Sequence, residues 1–381
     1  MTDLRNVIGF EPVHIAGIAT TQWLPEQHAV VDELVYRAVA DALESASLHR
    51  HEVGLTITSS MDVYDGRSIS SGLTNSASGG YLTDSYRLES DVGTAIVAAA
   101  QAIAAGDVEV AVAVGAYNPE SATRDGERRA FLEQLSNYAF DAHFARPLGL
   151  TAQATYGLHA AWVLEQQGVN LEQLAQLAAR EITTASHSLR SMRTRAVQPE
   201  DILASPLVSW PLTELMLPAY STGAAAVVLA SSARAARANS RGAIITGVGH
   251  STGSYLETDD WLRDPGASSA RAAGAAYRTA GIPDAAGVIS LVEFTAPTPS
   301  LYDPILTALG VDKDLPLESI NPSGGAAGNY PGLANGALRL LEVVERLEQP
   351  AHAGSTAVVH SVDTITGTAV LDSTVLVVEG A

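Results

Sequence analysis

Asn321-Pro322-Ser323-Gly324-Gly325-Ala326-Ala327-Gly328-Asn329-Tyr330-Pro331-Gly332 reads as a tight, glycine-rich loop running into a helix. The paired glycines Gly324 and Gly325 permit backbone conformations or close approaches that a side chain would block. Helical spacing of apolar residues then predicts a helix over Gly332 to Leu347. Outward from it, apolar runs predict strands over Ala243 to Val248, Gly287 to Phe294, Thr356 to Ser361 and Thr374 to Glu379, with a helix over Ser268 to Ala280. Ligands of such strand and helix alternations gather where loops and helix N-termini converge.

The first part of the chain has the same order of elements. Strands are expected over Val13 to Ala19, Val53 to Ser59 and Val108 to Val114, and helices over His28 to Ser47 and Gly93 to Ala105. The strand over Val108 to Val114 has the composition of a fully buried parallel strand. The stretch from about 115 to 218 is richer in Arg, His, Gln and aromatics and carries an amphipathic helix over Leu171 to Thr183; it reads as an insertion with substrate contacts. Strand composition returns at Ala224 to Ala230. The expectation is an α/β fold of two tandem βαβαβ halves, 1–235 with the insertion and 236–381.

The chain has 381 residues, a net charge of -20 and no cysteine. The acidity argues against nucleic-acid and anionic-membrane partners, which need Lys and Arg to neutralise phosphate. The missing cysteine excludes disulfides, Cys-ligated zinc, iron-sulfur clusters and thiol nucleophiles. No His, Asp or Glu spacing resembles a metal motif, so no metal or cofactor is expected. The segment Met1 to Pro12 lacks a secretion signal and no apolar run is long enough to span a membrane, so a cytoplasmic location is expected. The basic residues are nearly all Arg, which suits phosphate contacts, and Arg124, Arg128, Arg129, Arg190, Arg193 and Arg195 concentrate in the insertion.

The loop at 321–332 is similar to the C-terminal signature of the thiolase superfamily, in which N-P-x-G-G is followed by G-H-P. His14-Ile15-Ala16-Gly17-Ile18, the helix start at Ser90 to Gly93, Tyr220 to Ala226 and Ala273 to Ile282 fall in the order seen in sterol-carrier-protein-type thiolases. The resemblance covers essentially the whole chain. It implies a five-layered α-β-α-β-α core with an inserted loop domain, a homodimer, and a CoA thioester as substrate. It also implies that Asn321, Gly324, Gly325 and Asn329 shape the substrate site and that Arg190 and Arg193 contact the CoA moiety.

The family's catalytic groups are all replaced. The nucleophilic Cys of C-x-x-G falls on Ser90, and a Ser without an adjacent base is a poor nucleophile better suited to helix capping. The G-H-P histidine falls on Tyr330, a phenol able to donate to an oxyanion or to act as acid/base. The H-D-A-F position falls on Leu291-Val292-Glu293-Phe294, which loses its first polar group unless Glu293 compensates. The second Cys falls near Asp363. Acyl-cysteine chemistry is thereby excluded.

The closest motif resemblance is to thiolase-like aldolases of steroid side-chain breakdown. These carry Tyr in place of that histidine, followed by Asn-Gly, here Tyr330, Asn335 and Gly336. They cleave a β-hydroxyacyl-CoA by retro-aldol chemistry, with no acyl-enzyme, and work with an OB-fold, zinc-ribbon partner subunit. They have a second Tyr where this chain has Leu291, and Tyr302 is eleven residues further on. The resemblance therefore implies a carbon-carbon lyase. A non-catalytic thiolase-fold subunit and a Ser90-dependent acyltransferase are the alternatives. Gly249-His250-Ser251-Thr252-Gly253 also matches the hydrolase motif G-x-S-x-G, but an apolar-faced helix does not follow it.

Overall fold

The computed structural model describes residues 10–62, 70–80, 83–119, 136–138, 140–237, 242–253, 260–312, 314–363 and 372–380. Arg124, Arg128 and Arg129 lie outside the described residues. So does the stretch 254–259 that follows the G-x-S-x-G motif.

Eleven described strands are β1 (Val13–Thr20), β2 (Leu55–Ser59), β3 (Asp84–Leu88), β4 (Val110–Tyr117), β5 (Leu207–Ser209), β6 (Leu212–Thr213), β7 (Gly223–Ala230), β8 (Ala243–Thr252), β9 (Ile289–Phe294), β10 (Thr356–Asp363) and β11 (Asp372–Gly380). The longer helices are α1 (Val31–Ser45), α2 (Ser70–Ser78), α3 (Val92–Ala104), α4 (Ala152–Gln166), α5 (Leu171–Ala185), α6 (Ala267–Ala280), α7 (Pro299–Ala308) and α8 (Asn335–Leu347). Nine strands run in the order β3-β2-β4-β7-β1-β8-β11-β10-β9, and β5 and β6 form a separate hairpin.

The nine strands divide into two halves that, among the described residues, pair through a short junction where Val13 and His14 meet Ile245 and Ile244. One face of each half packs against the same pair of central helices, α3 and α8. Their apolar side chains share a core with Ala225, Val227 and Leu229 of β7 and with Ala357 and Val359 of β10. The opposite face of the first half, Ala224, Ala226 and Val228, is covered by α1. The opposite face of the second half, Val292, Phe294, Val358, Val375 and Val377, is covered by α5, α6 and α7. Helix, sheet, helix, sheet and helix thus form five layers, with side chains of successive strand residues serving alternate layers.

Composition follows from this stacking. Helix α1 has one sheet to cover and buries only Val31, Leu34, Val35, Ala38, Val39, Ala42 and Leu43, one stripe at helical spacing. Helix α3 is enclosed on several sides, and its small residues Gly93, Ala95, Ala99 and Ala100 are all buried. Each fully buried Val, Ile or Leu in these layers contributes roughly 1.5–3 kcal/mol.

Strand directions differ from the parallel pattern expected from the sequence. Strand β4 is parallel to β2 but antiparallel to β7, and β11 is antiparallel to both β10 and β8. Buried parallel and antiparallel strands have the same apolar composition when both faces are covered by helices, so composition could not tell them apart. The hydrolase-elbow motif is also resolved: Gly249 to Thr252 continue β8 in register with β11, so no turn presents Ser251 as a nucleophile. No described helix is long and apolar enough to cross a membrane.

Candidate active site

The two central helices begin side by side, and a single carboxyl group joins them. Asp91 is the N-cap of α3: its Oδ1 accepts from Gly93 N at 2.8 Å, while its Oδ2 accepts from Gly336 N, in the first turn of α8, at 3.1 Å. Ser361 Oγ of β10 donates to Oδ1 at 2.7 Å and lies 2.7 Å from Thr374 Oγ1 of β11. The approach is close because Gly336 has no side chain; a Cβ there would lie 2.7 Å from Gly93 N and collide with the Asp91 carboxyl. Burial pushes the Asp91 pKa up from 3.8 to about 7, against the opposing pull of these three donors and of Arg339.

Two sequence expectations change here. The cap of α3 is Asp91, not Ser90. Ser90 stands just before it, with Oγ 3.2 Å from both Thr94 Oγ1 and Asp372 Oδ2. The last helix begins at Asn335, after a single 3-10 turn over Gly332–Ala334, so Asn335 sits at its mouth. Asn335 is fully buried; its Nδ2 donates to Thr295 Oγ1 at 2.8 Å, and its Oδ1 has no hydrogen-bond partner among the described residues.

Tyr330 lies beside this junction, 1% exposed, with its hydroxyl 3.5 Å from the carbonyl of Val362. Val362 precedes Asp363, which is buried at the end of β10 and faces Asp372 across the ladder. The ring of Tyr330 meets the ring of Tyr220 edge to face, 5.5 Å between centroids. Backbone bonds fix the pair: Tyr330 N donates to Ala219 O at 2.8 Å and Ser221 N donates to Tyr330 O at 3.3 Å. Tyr117, Ala326 and Leu333 close the cluster. Tyr220 lies far from both Tyr330 and Leu291 along the chain, so nothing in the sequence pairs it with Tyr330; Leu291 is a buried core residue between sheet and helix.

The remaining sequence-selected residues hold the scaffold. Glu293 is fully buried, and its oxygens accept from Ser323 N and Ser323 Oγ, both at 2.8 Å, and from Arg339 Nη1 at 3.2 Å. Burial pushes its pKa upward and Arg339 opposes this. These bonds tie β9, the glycine loop and α8 together around Glu293, the residue expected to compensate for the lost polar group. Asn321, at φ +47°, accepts from Phe294 N at 2.7 Å, and Gly324, at φ +80°, packs against Ala185 of α5. Asn329 accepts from Ser221 Oγ at 2.6 Å and donates to Arg190 O at 2.7 Å.

Arg190 and Arg193, the expected CoA contacts, also have partners within the chain. Arg190 donates to Glu342 Oε1 at 3.2 Å and to Glu345 at 2.5 and 2.8 Å. Arg193 donates to the carbonyls of Glu214, Leu215 and Leu217. Both guanidinium groups thus have intrachain acceptors. Among the described residues no group of three or more His, Asp or Glu is placed to hold a metal ion.

No protein-family model matches the chain, and no curated protein matches its sequence. Solved structures do. The chain is similar to an Ltp2-ChsH2(DUF35) aldolase, with a TM-score of 0.74 and 20% identity over 97% of this chain and 98% of that one. It is similar to the human mitochondrial 3-ketoacyl-CoA thiolase, with a TM-score of 0.73 and 16% identity over 98% and 100% of the two chains. A monomeric SCP2-thiolase-like protein type 1 from Mycobacterium smegmatis matches with a TM-score of 0.73 and 18% identity over 97% of this chain and 78% of that one. The fold is the thiolase fold.

Proposed function

We propose that this thiolase-fold protein is an acyl-CoA-acting carbon-carbon lyase that cleaves a β-hydroxyacyl-CoA by a retro-aldol route, with a steroid side-chain thioester as the candidate acyl group. The observation that carries the reading is Tyr330 packed edge-on against Tyr220, beside buried Asp363, in a chain without cysteine. In an ordinary thiolase the helix N-terminus stabilises a thiolate. Here one amide at the start of each central helix, Gly93 N and Gly336 N, donates to the Asp91 carboxyl, and the reading gives acid/base and oxyanion chemistry to the phenols.

In the proposed reaction a base takes the β-hydroxyl proton while the bond between the α and β carbons breaks. That electron pair forms the thioester enolate, whose oxygen accepts a hydrogen bond from Tyr330. Protonation at the α carbon then yields a shortened acyl-CoA beside the released aldehyde or ketone. Asp363 is the candidate base, with Tyr220 the second phenol and Ser90 at the rim. No cofactor is required by this chemistry. A homodimer, an OB-fold, zinc-ribbon partner subunit and a cytoplasmic location complete the reading.

The test is Tyr330→Phe in the purified chain, with and without such a partner, assayed for acyl-CoA cleavage. Loss of about 100-fold or more in rate with an unchanged melting temperature supports the assignment, and an unchanged rate ends it. The near-complete burial of Tyr330 favours a second reading, a non-catalytic subunit of a heteromeric acyl-CoA complex. Turnover by the wild-type chain would eliminate that reading. A Ser90-dependent acyltransferase is the third; an intact-mass spectrum after incubation with acyl-CoA would show its acyl adduct.

A further inference from the structure

A small cavity of about 30 Å³ lies between α5, α7 and the glycine loop, away from Asp91 and the helix junction. That is room for roughly two water molecules or one small polar group. Leu177, Leu215, Met216, Leu217 and Ala326 form apolar walls, while Glu181, Thr298, Tyr302 and Asn321 supply the polar lining. A few polar groups set among apolar walls is the pattern of a small-molecule subsite.

The polar groups are incompletely engaged by the protein. Glu181 is 7% exposed, and burial pushes its pKa from 4.5 to about 7. Its Oε1 accepts from Arg180 at 3.1 Å, but its Oε2 has only a long bond, 3.4 Å, from Asn321 Nδ2. Arg180 also lies over the ring of Tyr302, 5.1 Å from its centroid, which holds that ring in place. The Tyr302 hydroxyl makes no hydrogen bond to any described residue.

The cavity is linked to the tyrosine pair by two adjacent segments. Leu217 and Ala326 line it, Ala219 N donates to Ala326 O at 3.0 Å, and Ala219 O accepts from Tyr330 N at 2.8 Å. Leu217 to Tyr220 is three residues, roughly 10 Å of extended chain. We infer that this cavity is the subsite for the distal end of the acyl group, and that Glu181 and Tyr302 select a chain ending in a hydroxyl or carbonyl oxygen over an apolar one.

This inference rests on the acyl-CoA reading, and the experiment separates the two. Isothermal titration of the full chain with octanoyl-CoA and with omega-hydroxyoctanoyl-CoA is expected to show the hydroxylated probe binding about tenfold more tightly. Glu181→Leu, which replaces the carboxyl by an apolar group, is expected to bring the two within about twofold, and Glu181→Gln, which keeps a donor and an acceptor, to retain part of the preference. Equal binding of both probes by the wild-type protein, or a preference that survives in Glu181→Leu, overturns the subsite and leaves the acyl-CoA reading intact. Failure of both probes to bind overturns both.

Discussion

Asp91 is a buried carboxyl placed where two helices present unpaired amides, and its ionisation has a definite sign. Its pKa rises from 3.8 in the unfolded chain to about 7 in the folded one, so the folded state holds the proton more tightly. Its stabilising contribution is therefore complete below about pH 4 and is lost as pH rises towards 7. Glu181, raised from 4.5 to about 7, acts in the same direction. Urea denaturation of Asp91→Asn from pH 4 to pH 8 is expected to show a shallower decline in stability than the wild type. An identical pH dependence would show that Asp91 is ionised throughout. Asp91→Ala should also cost about 1–4 kcal/mol at neutral pH, because it removes a cap from each of two helices. The role of Asp91 was not legible in the sequence, where the cap of α3 was expected at Ser90 and Gly336 lies 245 positions away along the chain.

At the scale of elements, α3 and α8 approach through glycines, and the glycine loop is tied to the sheet by a buried ion pair. Gly336→Ala would push α8 away from Asp91 and Gly93, an overpacking cost of roughly 1–3 kcal/mol measurable by chemical denaturation; no loss of stability would mean the helix junction yields easily. Arg339→Met leaves Glu293 buried without its cation and is expected to cost about 3–5 kcal/mol. Adding Glu293→Gln should recover part of that loss, and a double variant no better than the single would show that Glu293 is already neutral. The sequence reading recovered α1, α3, α5 and α6 because each has clear apolar spacing. It passed over β3, whose residues Asp84, Ser85 and Tyr86 are exposed, and α7, which contains Pro304. Edge strands and proline-bearing helices lack the periodicity that marks the others.

At the scale of the molecule, β3 ends the nine-stranded sheet, and its outward edge pairs with no described strand. Exposed strand edges invite pairing with a second chain. If the proposed homodimer forms through this edge, Tyr86→Lys together with Ser85→Pro should shift the sedimentation coefficient from dimer to monomer. A dimer that survives both substitutions must use another face. The large negative charge keeps such an assembly soluble and makes its association rate depend on salt.

The sequence by itself determined the alternation of strands and helices and the exclusion of thiol chemistry, because composition and local periodicity are properties of the chain alone. Strand direction, the joining of both central helices by Asp91, the pairing of Tyr220 with Tyr330 and the intrachain occupation of Glu293, Arg190 and Arg193 were decided by tertiary structure. Tyr220 and Tyr330 are far apart in sequence, and only the packing of the glycine loop against the segment before β7 brings them into contact. A guanidinium or a carboxyl carries the same chemistry whether it meets substrate or another side chain. Which of these it meets is set by the groups that folding places within a few ångströms.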